Sequence, residues 1–225
     1  MKKPHILRTI TWFAASYVVL LFLFMQFGKF YVNIFSPVFK AEVEFLFPEF
    51  KVYSMGYEQY RGQDMIFMQV KTAEVIPLDA KQLPAGYPIV PKTHVVNQYM
   101  HPVIIFSILL AWPGITLLER LRMLGFAVPL LFLLELIDIP LVLVANCQQH
   151  INSLYPDPAS APALPLLYWR EFLMNGGRAV LSILCACLAV AGHYLLKAFR
   201  MVEPDRNAPC ICDSGKKYKQ CCMPH

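Results

Sequence analysis

The sequence predicts a mainly α membrane protein with four transmembrane helices, a small α+β extracytoplasmic cap and a short cysteine-bearing knuckle at the C-terminus. Three observations predict it. The 225-residue chain is 57% hydrophobic and 16% charged, where a soluble domain carries about a quarter charged residues. Its apolar residues gather in blocks at 9–27, 102–118, 123–145 and 179–196, each near the ~20 residues that cross a ~30 Å hydrocarbon core. Four of its 7 cysteines fall at the very end of the chain.

The charge distribution sets the expected topology. The net charge is +5. Lys2, Lys3 and Arg8 precede the first block, Arg120 and Arg122 stand between the second and third, and Lys197, Arg200, Arg206, Lys216, Lys217 and Lys219 follow the fourth. Only Glu119, Glu203, Asp205 and Asp213 oppose them on that side, while the other side carries equal numbers of acids and bases. Basic residues collect on the cytosolic side of membrane proteins, so both termini are expected in the cytosol and the protein in a bacterial inner membrane. The first block resembles a signal peptide in its basic start, but Gly28-Lys29-Phe30-Tyr31 offers no small-x-small cleavage site, and the expectation is a retained anchor.

Residues 1–8 are expected as a cytosolic N-terminus and 9–27 as the first span. Residues 28–100 form the expected cap. Ser36-Pro37 reads as an N-cap and first helical position, with Val38, Phe39, Val43, Leu46 and Phe47 at helical spacing up to Pro48; the expectation is a separate amphipathic helix on the membrane surface. Lys51–Tyr60 and Met65–Ile76 read as two strands joined by a turn at 61–64. Residues 77–92 carry Pro77, Pro84, Pro88 and Pro91 and read as an irregular return path. The second span is expected over 101–118, with Pro113 inside it, and the third over 123–145. In the loop 146–178, Leu166–Met174 suits the outer headgroup level, and Gly176-Gly177 breaks it before the fourth span at 179–196.

The cysteines are of two kinds. Cys147, Cys185 and Cys187 lie in or beside apolar blocks and read as small packing residues. Cys210, Cys212, Cys221 and Cys222 read Cys-x-Cys-x8-Cys-Cys. Four soft donors in so short a segment match the tetrahedral thiolate set of a structural zinc site. A reducing cytosol disfavours disulfides between them. Lys216, Lys217 and Lys219 lie in the loop and offset the charge of four thiolates on Zn²⁺.

The segment Arg206-Asn207-Ala208-Pro209-Cys210-Ile211-Cys212-Asp213-Ser214-Gly215-Lys216-Lys217-Tyr218-Lys219-Gln220-Cys221-Cys222 resembles the SEC-C zinc motif, found at the tail of the SecA translocation ATPase and in many unrelated proteins. The resemblance implies zinc ligation by Cys210, Cys212, Cys221 and Cys222, a zinc knuckle over 206–225, and a docking role. Ile211 stands where proline is usual and Asp213 where glycine is usual.

Within the third block, Leu134-Glu135-Leu136-Ile137-Asp138-Ile139-Pro140 places two carboxyls at i and i+3, on one helical face. Burying charge there costs at least ~2.5 kcal/mol each on insertion scales. The expectation is that Glu135 and Asp138 face the bundle and hydrogen-bond to the second or fourth block; the alternative is a proton relay or intramembrane acid pair. His94, His101 and His193 read as packing residues. No Gly-x-Gly-Asp, His-Glu-x-x-His or Gly-x-Ser-x-Gly signature is present, and no phosphate-binding glycine loop.

The order of parts is also similar to small membrane proteins associated with exosortases: a basic anchor, a helix ending Leu46-Phe47-Pro48, a hairpin, Asn97-Gln98-Tyr99-Met100-His101-Pro102 opening a second anchor, and a helical pair. That likeness implies a non-catalytic companion in protein sorting and carries no catalytic residue onto this chain. The expected partners are the lipid bilayer and a protein, whether a membrane enzyme, an exported client or a cytosolic docking component; nucleic acid is not expected. The competing expectation is a membrane enzyme or proton-coupled transporter using Glu135 and Asp138.

Overall fold

The computed structural model describes residues 3–78, 81–155, 162, 164–201, 207, 210, 214–217 and 220–221. Helices dominate: α1 (Lys3–Leu46), α2 (Val95–Ala111), α3 (Leu117–Asn152), α4 (Pro165–Phe172) and α5 (Arg178–Met201). Between α1 and α2 lie six strands: β1 (Phe50–Tyr60), β2 (Gln63–Thr72), β3 (Ile76–Leu78), β4 (Lys81–Leu83), β5 (Pro88–Ile89) and β6 (Lys92–His94).

The separate surface helix expected from Ser36-Pro37 does not form. α1 runs unbroken for 44 residues with Pro37 inside it. Ser36 does not cap a new helix; its hydroxyl donates to the Val32 carbonyl at 2.8 Å within the same one. A helix of this length spans roughly 66 Å at 1.5 Å per residue, about twice a hydrocarbon core. Its second half packs on the sheet, burying Val32, Phe39 and Val43 with Phe50, Val52, Ile66, Met68 and Val70.

The hairpin turns at Arg61-Gly62, where both residues have positive φ (50° and 77°), so the turn is two residues rather than four. Such a turn matches the twist of paired strands. Ile66, Met68, Val70 and Thr72 alternate inward along β2. The proline-rich return at 77–92 is not irregular throughout. β3 pairs with β4, while β5 and β6 both pair antiparallel with β2, closing a sheet in the order β1-β2-β5 with β6 beside β2.

α2 ends at Ala111, so Pro113 lies in the connection rather than inside a helix, and Pro102 is the proline within α2. Glu119 and Arg120 are on the first turn of α3, not in a loop. Thr116 and Glu119 form a capping box: the Glu119 N–H donates to the Thr116 hydroxyl and the Thr116 N–H to the Glu119 carboxylate. Arg120 reaches back to the last carbonyls of α2, donating to those of Leu109, Leu110 and Trp112. α3 extends to Asn152, so Cys147 is a buried helical residue rather than a loop one.

A sharp bend joins α4 to α5. Gly176 sits at φ 99°, and a Cβ on Gly177 would lie 2.6 Å from the Phe172 carbonyl oxygen. Glycine is thus required at both positions, one for its left-handed backbone and one for close approach. α1, α3 and the α4–α5 pair are each long and apolar enough to cross a membrane, over Ile6–Leu46, Leu117–Asn152 and Pro165–Lys197; α2 is a shorter apolar helix. Large apolar side chains point outward along them, among them Phe22, Leu133 and Leu188.

Two apolar cores result. One joins the sheet to α1 and to Ile139, Leu143 and Cys147 of α3. The other joins Ile105 and Leu109 of α2, Met123, Ala127, Leu131 and Leu134 of α3, and Cys185, Ala186 and Ala189 of α5. On α3 the first core starts at Ile139 and the second stops at Leu134. Glu135 and Asp138 occupy the interval.

Candidate functional site

That interval is a polar layer built from four helices. On α3, Glu135 and Asp138 are both fully buried. Asp138 is held from two directions. Arg178, the first residue of α5, grips it with both arms of its fork: Nε donates to Oδ2 at 2.6 Å and Nη2 to Oδ1 at 2.8 Å. His101 of α2 places Nε2 at 2.9 Å from Oδ2. Bidentate arginine–carboxylate pairs are among the strongest polar contacts, and low surrounding polarity strengthens them further. The fork can form because Gly176 and Gly177 turn the chain just before Arg178.

The chain of contacts continues. His101 Nδ1 lies 2.8 Å from the Ser182 hydroxyl, one turn along α5 from Arg178, and that hydroxyl is 2.7 Å from the Arg178 carbonyl. Because Nε2 faces a carboxylate, it carries a hydrogen. Nδ1 then accepts from Ser182, or carries a second hydrogen while Ser182 donates to the Arg178 carbonyl. The direction of the Ser182 hydroxyl is thus tied to the hydrogen placement on His101.

Glu135 faces α1. The Tyr31 hydroxyl donates to Oε1 at 2.9 Å. The Gln98 side chain of α2 lies beside it, yet both Gln98 amide atoms and Glu135 Oε2 lack a partner of good geometry among the described residues. A flanking contact also comes from α4. The Trp169 indole donates to the Ile137 carbonyl at 2.7 Å, three residues before Pro140, where a proline disturbs the helix ladder.

Ser182–His101–Asp138 has the connectivity of a nucleophile, a base and an orienting acid. Two features set it apart from a working triad. All three side chains are fully buried, so the hydroxyl is out of reach of solvent in this arrangement. Asp138 is also neutralised by Arg178, which weakens its pull on the imidazole. The layer is organised as a brace between α2, α3 and α5.

Sequence reading placed Glu135 and Asp138 on one face and looked for partners on the second and fourth blocks; Asp138 meets His101 at the start of the second span and Arg178 at the end of the predicted outer loop, whereas Glu135 is bonded to α1. His101, read as a packing residue, is a central member, and Arg178, read as part of the outer loop, is buried. The signal for Arg178 was local: a basic residue at the start of an apolar block, directly after two glycines.

The cysteine tail is described in part. Cys210 is buried, and its N–H donates to the Lys216 carbonyl at 2.8 Å. Gly215 has φ 70°, which lets the chain reverse there. Ser214 Oγ lies 3.2 Å from Cys221 Sγ, and the Gln220 N–H donates to the Lys217 carbonyl. The loop thus doubles back from Cys210 toward Cys221, as a two-pair thiolate site requires. Cys212, Cys222 and His225 lie outside the described residues. Among the described residues no group of three or more His, Cys, Asp or Glu is placed to hold a metal. The donor chemistry of the four cysteines nonetheless fits zinc.

The described residues define a mainly helical protein with three long apolar helices, a small sheet on one end and a closed polar layer. At the C-terminus, the SEC-C motif matches residues 206–224. The chain is also 75% identical over 20 residues to three UPF0225 proteins of Shewanella sp., strains ANA-3, MR-4 and MR-7. That stretch is 9% of this chain and spans 12% of each relative's length. No solved structure matches the chain. The likeness to exosortase companions is found in none of these comparisons.

Proposed function

We propose that the protein is a four-pass membrane protein with both termini in the cytosol, and that it acts as a non-catalytic accessory. The sheet-bearing cap binds an exported client or a neighbouring membrane enzyme outside. The tail docks a cytosolic component. The observation that carries this reading is the closed state of the polar layer: among the described residues, its buried ionic groups are engaged in holding helices together. The outward apolar faces of α1, α3 and α5 support lipid contact, and the SEC-C match supports a cytosolic docking module. A place beside an exosortase-type sorting system belongs to the proposal on the order of parts alone.

Zinc would be held by Cys210, Cys212, Cys221 and Cys222 and would supply a cross-link in place of a core, since so short a segment folds only with metal bound. The test is affinity purification from detergent with metal analysis. Wild type should carry close to one zinc per chain and retain its partner. Cys221→Ser with Cys222→Ser should lose both while the helices stay folded. Identical partners with and without zinc would count against the docking role.

A second reading has one observation in its favour. Glu135 Oε2 and the Gln98 amide atoms are buried without a partner of good geometry among the described residues, the kind of unused polar capacity a proton-coupled transporter or membrane enzyme would need. It requires that Glu135→Gln and Asp138→Asn abolish function at unchanged abundance. Full function in both variants ends it.

A further inference from the structure

A groove lies at the opposite end from the sheet, between the start of α1 and the α2–α3 connection. It has a volume of about 850 Å³, in the range that accommodates a whole small ligand. Its walls are mostly apolar, with Trp12, Val19 and Leu20 from α1 facing Trp112, Pro113 and Ile115. Arg8 and Arg120 are the charged residues in its lining, and no acid is among them.

Arg120 is fixed in place. It donates to the final carbonyls of α2 and, among the described residues, meets no carboxylate, so its positive charge is oriented without a counter-ion there. Arg8 is exposed one helical turn before Trp12, and Lys2 and Lys3 precede it in sequence. Tryptophan and arginine at this end fit the headgroup level, with the indole in the interface and the guanidinium at the phosphates. The groove is open along its length and continues into the outward apolar face of α1, which offers a path for a chain lying parallel to the helix.

We infer that this groove holds one anionic phospholipid of the cytosolic leaflet, its phosphate on Arg8 and Arg120 and an acyl chain between α1 and the α2–α3 connection. The inference rests on the membrane reading above. An unneutralised basic mouth on an apolar slot selects for a ligand with the same division, and an anionic lipid has it. A zwitterionic lipid offers the same chain without the net charge.

The test uses the full chain in detergent, stripped of lipid and then incubated with phosphatidylglycerol or phosphatidylcholine, with retained lipid read by native mass spectrometry. Wild type should retain phosphatidylglycerol at least about fivefold over phosphatidylcholine, the size expected of one basic residue against an anionic lipid. Arg8→Gln should lower phosphatidylglycerol retention to the phosphatidylcholine level. Ala15→Trp, which fills the slot from its exposed wall, should exclude both lipids. Arg8 and Ala15 are exposed, so circular dichroism should show both variants folded. Equal retention of the two lipids by wild type overturns the inference, as does unchanged retention in Arg8→Gln. A photo-crosslinker at position 12 that captures residues 202–225 or a second copy, instead of lipid, overturns it as well. Recovery of the chain in the soluble fraction without detergent would sink the membrane reading itself, a result separate from any lipid preference.

Discussion

The polar layer and the cysteine tail both gather groups that are costly to leave alone, and they do so by opposite means. In the layer, the groups come from four helices. Asp138 meets His101 across 37 residues of sequence and Arg178 across 40, and His101 meets Ser182 across 81. Every member depends on a fold that already exists, and each in turn punishes helices that shift. In the tail, all four cysteines lie within the last 16 residues, and the doubling back at Gly215 is local. Nothing from the helices need be present for the thiolates to meet. The lesson is that buried ionic groups fix the relation of distant elements, whereas the donors of the cysteine motif all lie within one segment too short for a core.

The sharpest way to break the comparison is to remove one member of the buried pair. Asp138→Ala leaves the Arg178 guanidinium buried without its counter-charge, and a broken buried pair costs about 3–5 kcal/mol. Thermal unfolding in detergent should show that loss. Asp138→Leu combined with Arg178→Met should recover much of it, because the two apolar residues remove the unpaired charge and leave only the His101 Nε2–H without its acceptor. If the double variant is as unstable as the single one, the layer is not a brace of the kind described.

Gly177→Ala tests how the layer is positioned. Its Cβ would meet the Phe172 carbonyl oxygen, which is backbone and cannot swing aside. The bend must open, and Arg178 is the next residue. The expected cost is about 1–3 kcal/mol, with protease sensitivity increasing between α4 and α5. An unchanged unfolding temperature would show that the bend has slack.

The tail should respond in the contrary sense. Chelation of zinc, or Cys221→Ser with Cys222→Ser, should leave the helical unfolding transition in place within about 0.5 kcal/mol, the usual range for changes far from core features. A shift larger than that would mean the tail is part of the bundle and the comparison is false.

The smallest effect lies in the outer hairpin. Tyr57 donates to Asp64 at 2.6 Å, and this hydrogen bond to a carboxylate raises the tyrosine above its ordinary value. A raised value in the folded state means stability that is fully present below about pH 10, the unfolded value, and lost as pH rises past the folded one. Phenolate absorbance should show late-titrating tyrosines, and Tyr57→Phe should reduce their number by one.

Some of this was legible along the chain. The apolar blocks stand out because crossing length is a property of consecutive residues. The hairpin is visible because side chains alternate with period two and Arg61-Gly62 supplies a turn. Boundaries were harder. Pro37 looked like a start and is an interior residue, because proline's missing N–H is tolerated once packing on the sheet holds the helix on both sides. Pro113 looked interior and falls in a connection, where Arg120 and the Thr116–Glu119 box close the two helix ends.

What the sequence by itself determined is therefore what depends on neighbours in the chain: four apolar stretches, one hairpin, the cysteine spacing of the SEC-C motif, and two acids placed on a single face. Only the tertiary structure decided which residues those acids meet. A carboxylate three residues from another fixes its face through helical periodicity, but its partner is whichever side chain the packing of a distant helix delivers. His101 and Tyr31 carry no local mark of that role, and the glycines before Arg178 mark only its place at a bend. Their meeting follows from the crossing of α1, α2, α3 and α5, and from the cost of leaving any buried charge without a counterpart.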